Sequence, residues 1–221
     1  MIISDLHTAL LPYLEATPNK QVFVLTDANV ASCYPTLIGK YPRCILPAGD
    51  NNKSLHSVEL VWQFLLENGA TRDALLLNIG GGMITDLGGF VAATYMRGIR
   101  CVNIPTSLLA MVDASTGGKT GINILGLKNL VGTFTQPSAT LIYPPFLNTL
   151  SENEILSGYA EMLKHGLIAD PAHFYALLAI ELQMPYSELF APLLSDSIQV
   201  KRQIVSADFQ EKGLRKALNF G

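Results

Sequence analysis

Leu6, Leu10 and Leu14 fall at helical spacing, which predicts a helix over residues 4–15. Pro18-Asn19-Lys20 breaks it. The apolar run 21–26, rich in Val, Phe and Leu, predicts a strand that ends at Asp27. Residues 44–46 predict a second strand, closed by Pro47-Ala48-Gly49-Asp50. Leu55, Val58, Val61, Trp62 and Leu65 return to the helical period and predict an amphipathic helix over 54–68, with Gly69 at its left-handed stop. Residues 74–79 are continuously apolar, the pattern of a central parallel strand buried on both faces. Gly80-Gly81-Gly82 follows, then a helix over 86–95 and a strand over 101–104 stopped by Pro105. This alternation predicts a parallel α/β sheet. Past Tyr143-Pro144-Pro145 the pattern turns helical. Ser151 and Glu154 form a capping box that opens a helix to about residue 168. Further helices are expected over 171–182 and 187–206, and a domain boundary near 145–150, between units 1–148 and 149–221.

Composition narrows the picture. The 221 residues are 49% hydrophobic and 15% charged, with a formal net charge of −3. A typical chain is about 25% charged, so disorder is excluded. Without a basic excess, neither nucleic acid nor an anionic membrane is an expected partner. No apolar run reaches the roughly 20 residues of a membrane span. The Met-Ile-Ile-Ser-Asp start has no cationic leader pattern, and Cys33, Cys44 and Cys101 form no C-x-x-C pair. Reduced thiols and a cytoplasmic location are expected. A mean hydropathy of +0.30 fits strands buried on both faces, or apolar surface that this chain leaves bare.

Candidate chemistry clusters in three places. Gly80 and Gly82 fit the first two glycines of G-x-G-x-x-G, with Thr85 in the third slot. In a strand-to-helix turn such glycines let backbone N–H groups approach a phosphate, though a tight structural turn has the same signature. Asp27, at a strand end, suits either a ribose diol or a helix cap. Residues 105–123 pack hydroxyls, Asp113 and Lys119 around glycines. Gly117-Gly118-Lys119-Thr120 is like a P-loop ending, but position 113 is Asp where that motif needs Gly, which disfavours ATP hydrolysis. Lys119, with Lys128 nearby, suits a phosphate or carboxylate. Glu161, Lys164 and His165 share one helix face, open to either a metal-ligating pair or a solvated ion pair.

Two long stretches, 80–137 and 150–170, resemble the 3-dehydroquinate synthase family of sugar-phosphate cyclases, with several motifs in order from Gly49 onward. The resemblance implies a Rossmann-like parallel-sheet domain followed by the start of an all-helical C-terminal domain. It implies NAD as cofactor, with Zn or Co as divalent metal. NAD-contacting positions would be Asp50 and Lys53, the turn residues Gly81, Gly82, Met83, Ile84, Thr85 and Asp86, then Thr106, Ser107, Lys119 and Lys128. Phe146, Leu147, Asn148 and Thr149 complete that set, and Asp27 and Asn29 match a looser adenosine-ribose site. Substrate-contacting positions would be Arg97, Asp113, Lys119, Asn129, Lys164, Lys201, Arg215 and Asn219, and Glu161 the metal-ligating carboxylate.

The implied substrate is a small anionic sugar-phosphate acid, 3-deoxy-arabino-heptulosonate 7-phosphate. Its conversion to 3-dehydroquinate runs through transient oxidation, phosphate elimination, reduction and aldol closure, in the shikimate pathway of aromatic amino-acid biosynthesis. A homodimer is also implied. This chain departs from the family pattern in carrying Asp50 for Glu, Thr85 for Gly, Ser107 for Thr and His165 for Tyr. His165 is expected to be structural or to lie behind the metal ligand. The chain is expected to be truncated, because Leu218-Asn219-Phe220-Gly221 matches the text just before the family's His-x-x-x-His stretch.

Overall fold

The computed structural model describes residues 1–18, 21–37 and 41–219. The expected helix breaker Asn19-Lys20 and the final Phe220-Gly221 lie outside the described residues. The chain runs α1 (Leu6–Glu15), β1 (Val22–Asp27), α2 (Ala28–Cys33), β2 (Arg43–Leu46), α3 (Leu55–Glu67), β3 (Leu75–Gly80), α4 (Gly82–Thr94) and β4 (Arg100–Pro105). Then come the hairpin β5 (Lys119–Ile124) and β6 (Leu127–Phe134), and the short β7 (Ala139–Thr140). Three helices follow: α5 (Glu152–Ala169), α6 (Pro171–Leu178) and α7 (Tyr186–Ala207).

Five strands form one parallel sheet in the order β2-β1-β3-β4-β7. Side chains alternate across each strand. Phe23, Leu25 and Leu76 pack with Val58, Val61 and Leu65 of α3 and with Ile84 and Leu87 of α4. Val22, Val24, Leu75, Leu77 and Ile79 face the other way, into a core shared with Leu6 and Leu10 of α1. That core continues through Ile155, Met162, Leu177, Phe190, Leu194 and Ile198, so the helical half is packed onto the sheet half. Both sheet faces are covered, which is why β1 and β3 are buried at every position. Each such side chain contributes about 1.5–3 kcal/mol on burial.

The chain moves from β1 outward to β2 and then back across to β3, so the direction of winding reverses between β1 and β3. In doubly wound sheets ligands bind outside the carboxyl ends of the strands at that reversal. Asp27 ends β1 there, and Gly80 ends β3.

Helix α2 and the short β7 are not foreseen in the sequence pattern, and other elements differ from expectation. Helix α4 begins at Gly82, four residues before the expected Asp86, because burial of Ile84 and Leu87 against the sheet outweighs the poor helix propensity of the glycine turn. Residues 119–134, for which the sequence pattern predicts no strand, form a hairpin. Leu125 (φ +51°) and Gly126 (φ +79°) turn it, the left-handed pair that a two-residue hairpin requires. Helix α6 ends at Leu178 instead of residue 182, before Pro185. Ser151 caps α5 with Glu154 in a reciprocal box, and Gly69 (φ +69°) takes the left-handed stop, both as the sequence predicts. Among the described residues no helix is long and apolar enough to cross a membrane.

Candidate active site

A cavity of about 800 Å³ opens at the winding reversal. Gly81 is the N-cap of α4 and brings no side-chain cap, which leaves first-turn N–H groups free. A Cβ on Gly81 would sit 3.3 Å from Ser107 Oγ, and one on Gly82 3.3 Å from Ala114 Cβ, so these glycines keep the backbone open to a close-lying group. Gly81, Gly82, Met83, Asp86, Thr106 and Ser107 line the cavity on one side, and Asp27, Asn29, Asp50, Lys53 and Lys128 on others. Thr149 closes one edge, bonded at 2.7 Å to Tyr34 Oη.

The Asp27 carboxylate accepts from the N–H groups of Asn29 (2.9 Å) and Val30 (3.1 Å), so it caps α2 while facing the cavity. Lys128 donates to Asp50 at 2.9 Å and holds that carboxyl below its ordinary pKa. Lys53, 3% exposed, donates to both Asp86 and Asn129 at 2.5 Å. Burial pushes the Asp86 carboxyl up to about 6 despite that ammonium.

Other members of the expected NAD set lie elsewhere. Ile84 is core, and Thr85 is 1% exposed with its hydroxyl on the carbonyls of Gly81 and Gly82. Phe146 and Leu147 are buried in the core. Asn148 exchanges hydrogen bonds with Ser187 at the start of α7, both at 2.9 Å.

A second cavity, about 460 Å³, lies against the first. Asp86, Asp113 and Ala114 line both. Lys119, Asn129, Lys201 and Arg215 line the second one, with Glu211. Lys201, 6% exposed, donates to the Asp113 carboxylate and main-chain carbonyl, and burial lowers its pKa. Arg215, 2% exposed, donates to Phe209 O at 2.6 Å and lies over the Phe134 ring, 5.9 Å from its centroid. Burial lowers its pKa as well. Lys119 pairs with Glu211, which also accepts from Asn219 Nδ2 at 2.9 Å. Asn219 lines neither cavity and reaches the site only through Glu211. Arg97 is exposed on the connection from α4 into the amino end of β4, and it lines neither cavity. Glu211 and Tyr34 are missed in the sequence reading, since an acid in a charged loop and a tyrosine after a short helix carry no motif.

Glu161 lies on α5, with Lys164 at 2.8 Å from Oε2 and His165 Nε2 at 3.3 Å from Oε1. Burial alone would raise its pKa. His165 and Lys164 outweigh it and hold the carboxyl at about 2. Lys164 also donates to Leu218 O at 2.8 Å. Glu161 Oε1 is buried without a hydrogen-bond donor, and ligand atoms of Asp113, Glu161 and His165 lie within 4.8 Å of one another. An ionised, donor-free carboxylate oxygen beside the cation-lined cavity fits a divalent metal ligand.

A doubly wound sheet with a glycine-opened helix at its reversal, abutting a pocket of buried cations, defines a dinucleotide-cleft α/β protein. Comparison with known proteins narrows that class. Residues 43–157 match the family described as 3-dehydroquinate synthase N-terminal, and residues 158–221 the one described as 3-dehydroquinate synthase C-terminal. The chain belongs to the 3-dehydroquinate synthase family.

It is 46% identical to 3-dehydroquinate synthase of Parabacteroides distasonis, over all of this chain and 64% of that protein. It is 42% identical to the Streptococcus pneumoniae enzyme, over 91% of this chain and 59% of that one. The chain thus spans about 60% of the length of these curated relatives. Among solved structures it is similar to 2-epi-5-epi-valiolone synthase of Streptomyces hygroscopicus, described with NAD⁺ and Zn²⁺ bound. The TM-score is 0.87 at 29% identity, over all of this chain and 64% of that one. The fold is shared with 2-deoxy-scyllo-inosose synthase, with a TM-score of 0.84 at 22% identity over 99% of this chain and 63% of that one.

Proposed function

We propose that the protein carrying this chain converts 3-deoxy-arabino-heptulosonate 7-phosphate to 3-dehydroquinate and phosphate. The observation that carries the reading is the shared wall: Asp86 and Asp113 separate a dinucleotide-sized cleft from a pocket lined by Lys119, Lys201 and Arg215. Bound in the cleft by the glycine turn, NAD would supply a hydride acceptor and donor, and a divalent metal, Zn or Co, held in part by Glu161, would supply a Lewis acid for the hydroxyl being oxidised. The valiolone synthase supports both assignments by its bound NAD⁺ and Zn²⁺.

In this reading the chain's own residues divide the work. Gly81, Gly82, Ser107 and Lys128 hold the pyrophosphate side of the cofactor, and Asp27 the adenosine ribose. Arg215, Lys119 and Lys201 hold the substrate's phosphate and carboxylate and stabilise the charge that develops as phosphate leaves. Glu161 supplies one metal ligand. Residues 1–148 act as the NAD-binding unit and 149–221 as the start of the metal and substrate unit. The free thiols of Cys33, Cys44 and Cys101 support a reducing, cytoplasmic setting. Assembly as a homodimer belongs to the same reading, and sedimentation tests it.

Calorimetry of the 221-residue chain with NAD⁺ is expected to give saturable heat that Gly82→Val removes. No heat at millimolar NAD⁺ would sink the cofactor assignment. In the protein carrying this chain, phosphate release from the heptulosonate phosphate, and none from glucose 6-phosphate, is expected. The reverse preference would make it a related cyclase. Lys119→Ala is expected to abolish turnover, and near-normal turnover would remove its assigned role.

A further inference from the structure

Lys53 lines the cleft opened by the glycine turn, yet its ammonium is committed elsewhere. The residue is 3% exposed, and Nζ donates at 2.5 Å both to Asp86 Oδ2 on α4 and to Asn129 Oδ1 on β6. Asp86 lines both cavities, and Asn129 lines the second. One buried cation therefore ties the shared wall to a side chain of the far pocket.

The backbone at Asn129 is held independently of that cation. The β5–β6 register shifts between Ile122 and Ile124, which leaves Asn123 and Asn129 outside the paired positions. Asn123 Oδ1 accepts from Asn129 N at 3.0 Å, and its Nδ2 donates to Asp50 O at 3.1 Å. The Asn123 N–H donates to Lys53 O at 2.7 Å. Asn129 takes φ +53°, so β6 bulges here, and a bulge re-aims a side chain.

The ammonium dictates which end of the amide it meets. It offers hydrogens and no lone pair, so the Asn129 oxygen must face it and the NH₂ end must turn away. That NH₂ has no hydrogen-bond partner among the described residues, and its side chain lines the cavity of Lys119, Lys201 and Arg215.

We propose that Lys53 is a positioning residue for the second cavity, orienting Asn129 so that Nδ2 donates to an anionic oxygen bound there. Family resemblance places Lys53 among the NAD contacts, whereas this geometry has it act through Asn129 on the other side of the wall. That the oxygen belongs to the substrate rests on the function proposed above. The orientation of the amide does not.

The test titrates the 221-residue chain with inorganic phosphate, by calorimetry and by proton–nitrogen NMR of side-chain amides. Asn129→Gly, which tolerates the positive φ, identifies the Asn129 signal. The Asn129 Nδ2 protons are expected to shift with the calorimetric midpoint. Asn129→Gly should weaken phosphate binding about tenfold, the worth of a hydrogen bond to a charged group. Lys53→Met should lose most of the same factor, and adding it to Asn129→Gly should cost less than about twofold more. A Lys53→Met loss that is undiminished in the Asn129→Gly background overturns the assignment. So does a Lys53→Met chain that loses NAD⁺ affinity and keeps its phosphate affinity, the pattern of a cofactor contact. Asn129 Nδ2 protons that saturating phosphate leaves unmoved, or a chain that binds no phosphate, overturn it as well. If Lys53→Met does not fold, the Asn129 amide of the unmodified chain decides alone. The expected coupling, in a protein that releases no phosphate from the heptulosonate phosphate, would sink the proposed function and leave the positioning role standing.

Discussion

Lys201 crosses from α7 to Asp113 and donates to both its carboxylate and its main-chain carbonyl, the latter at 2.9 Å. This pair ties the helical half of the chain to the wall shared by the two cavities. Asp113→Ala leaves a buried ammonium without its counter-ion. Breaking a buried pair costs about 3–5 kcal/mol. The Asp113 side chain is 31% exposed, so the low end, about 3 kcal/mol, is expected. Adding Lys201→Met should recover much of it. Urea unfolding of the single and double variants measures both, and a single-variant loss within about 0.5 kcal/mol would show that water replaces the carboxylate.

Gly158 of α5 sets how closely the Glu161 helix approaches the turn before Asp113. A Cβ there would meet Leu108 Cβ at 2.5 Å and Leu109 N at 2.6 Å, and backbone cannot yield as a side-chain tip can. Gly158→Ala is expected to cost about 1–3 kcal/mol by overpacking. It should also displace Glu161 from Asp113. Thermal melting reads the first effect. The second appears as weaker metal binding in the protein carrying the chain.

Much of this was legible in residue order. Mostly apolar runs gave β1, β3 and β4, because strands covered on both faces carry few polar positions, and Asn78 and Asn103 bond each other at 2.9 Å where they occur. Capping chemistry fixed the start of α5 at Ser151. The start of α4 was hidden, since glycines and Thr85 read as a turn until tertiary burial of Ile84 is known. The hairpin was hidden as well, because Leu125-Gly126 is a weak turn signal between strands whose outer positions are exposed. The adjacency of Lys53, Asp86 and Asn129 depends on three separate elements meeting, which no local spacing encodes. Ile84, Phe146 and Leu147 fall within motif stretches, yet their side chains serve the core.

The Glu161 pKa makes acid stability a readout of its surroundings. Its folded value, about 2, lies below the ordinary 4.5. The folded state therefore binds fewer protons than the unfolded state in that window. The stabilisation is complete above pH 4.5 and is lost as pH falls toward 2. Lys164→Met removes the ammonium 2.8 Å from Oε2, raises the folded pKa and flattens the slope. Urea midpoints across that range should fall less steeply for Lys164→Met than for the unmodified chain. Parallel curves would assign the slope to other carboxylates.

Cys33 offers a chemical report on the first cavity. It is exposed and lines that cavity, whereas burial pushes the Cys44 thiol up to about 11 and the Cys101 thiol up to about 12. Only thiolate reacts appreciably with iodoacetamide, so Cys33 is expected to be alkylated first, with Cys101 inert until unfolding. A dinucleotide seated between Asp27 and the glycine turn would cover the α2 end of the cavity, where Cys33 sits beside Tyr34. NAD⁺ is therefore expected to slow Cys33 alkylation in proportion to its occupancy, with the same midpoint as the calorimetric titration. Mass spectrometry of tryptic peptides measures the rate at each cysteine. A Cys33 rate that saturating NAD⁺ leaves unchanged would place the cofactor away from α2 and remove Asp27 and Asn29 from its contacts.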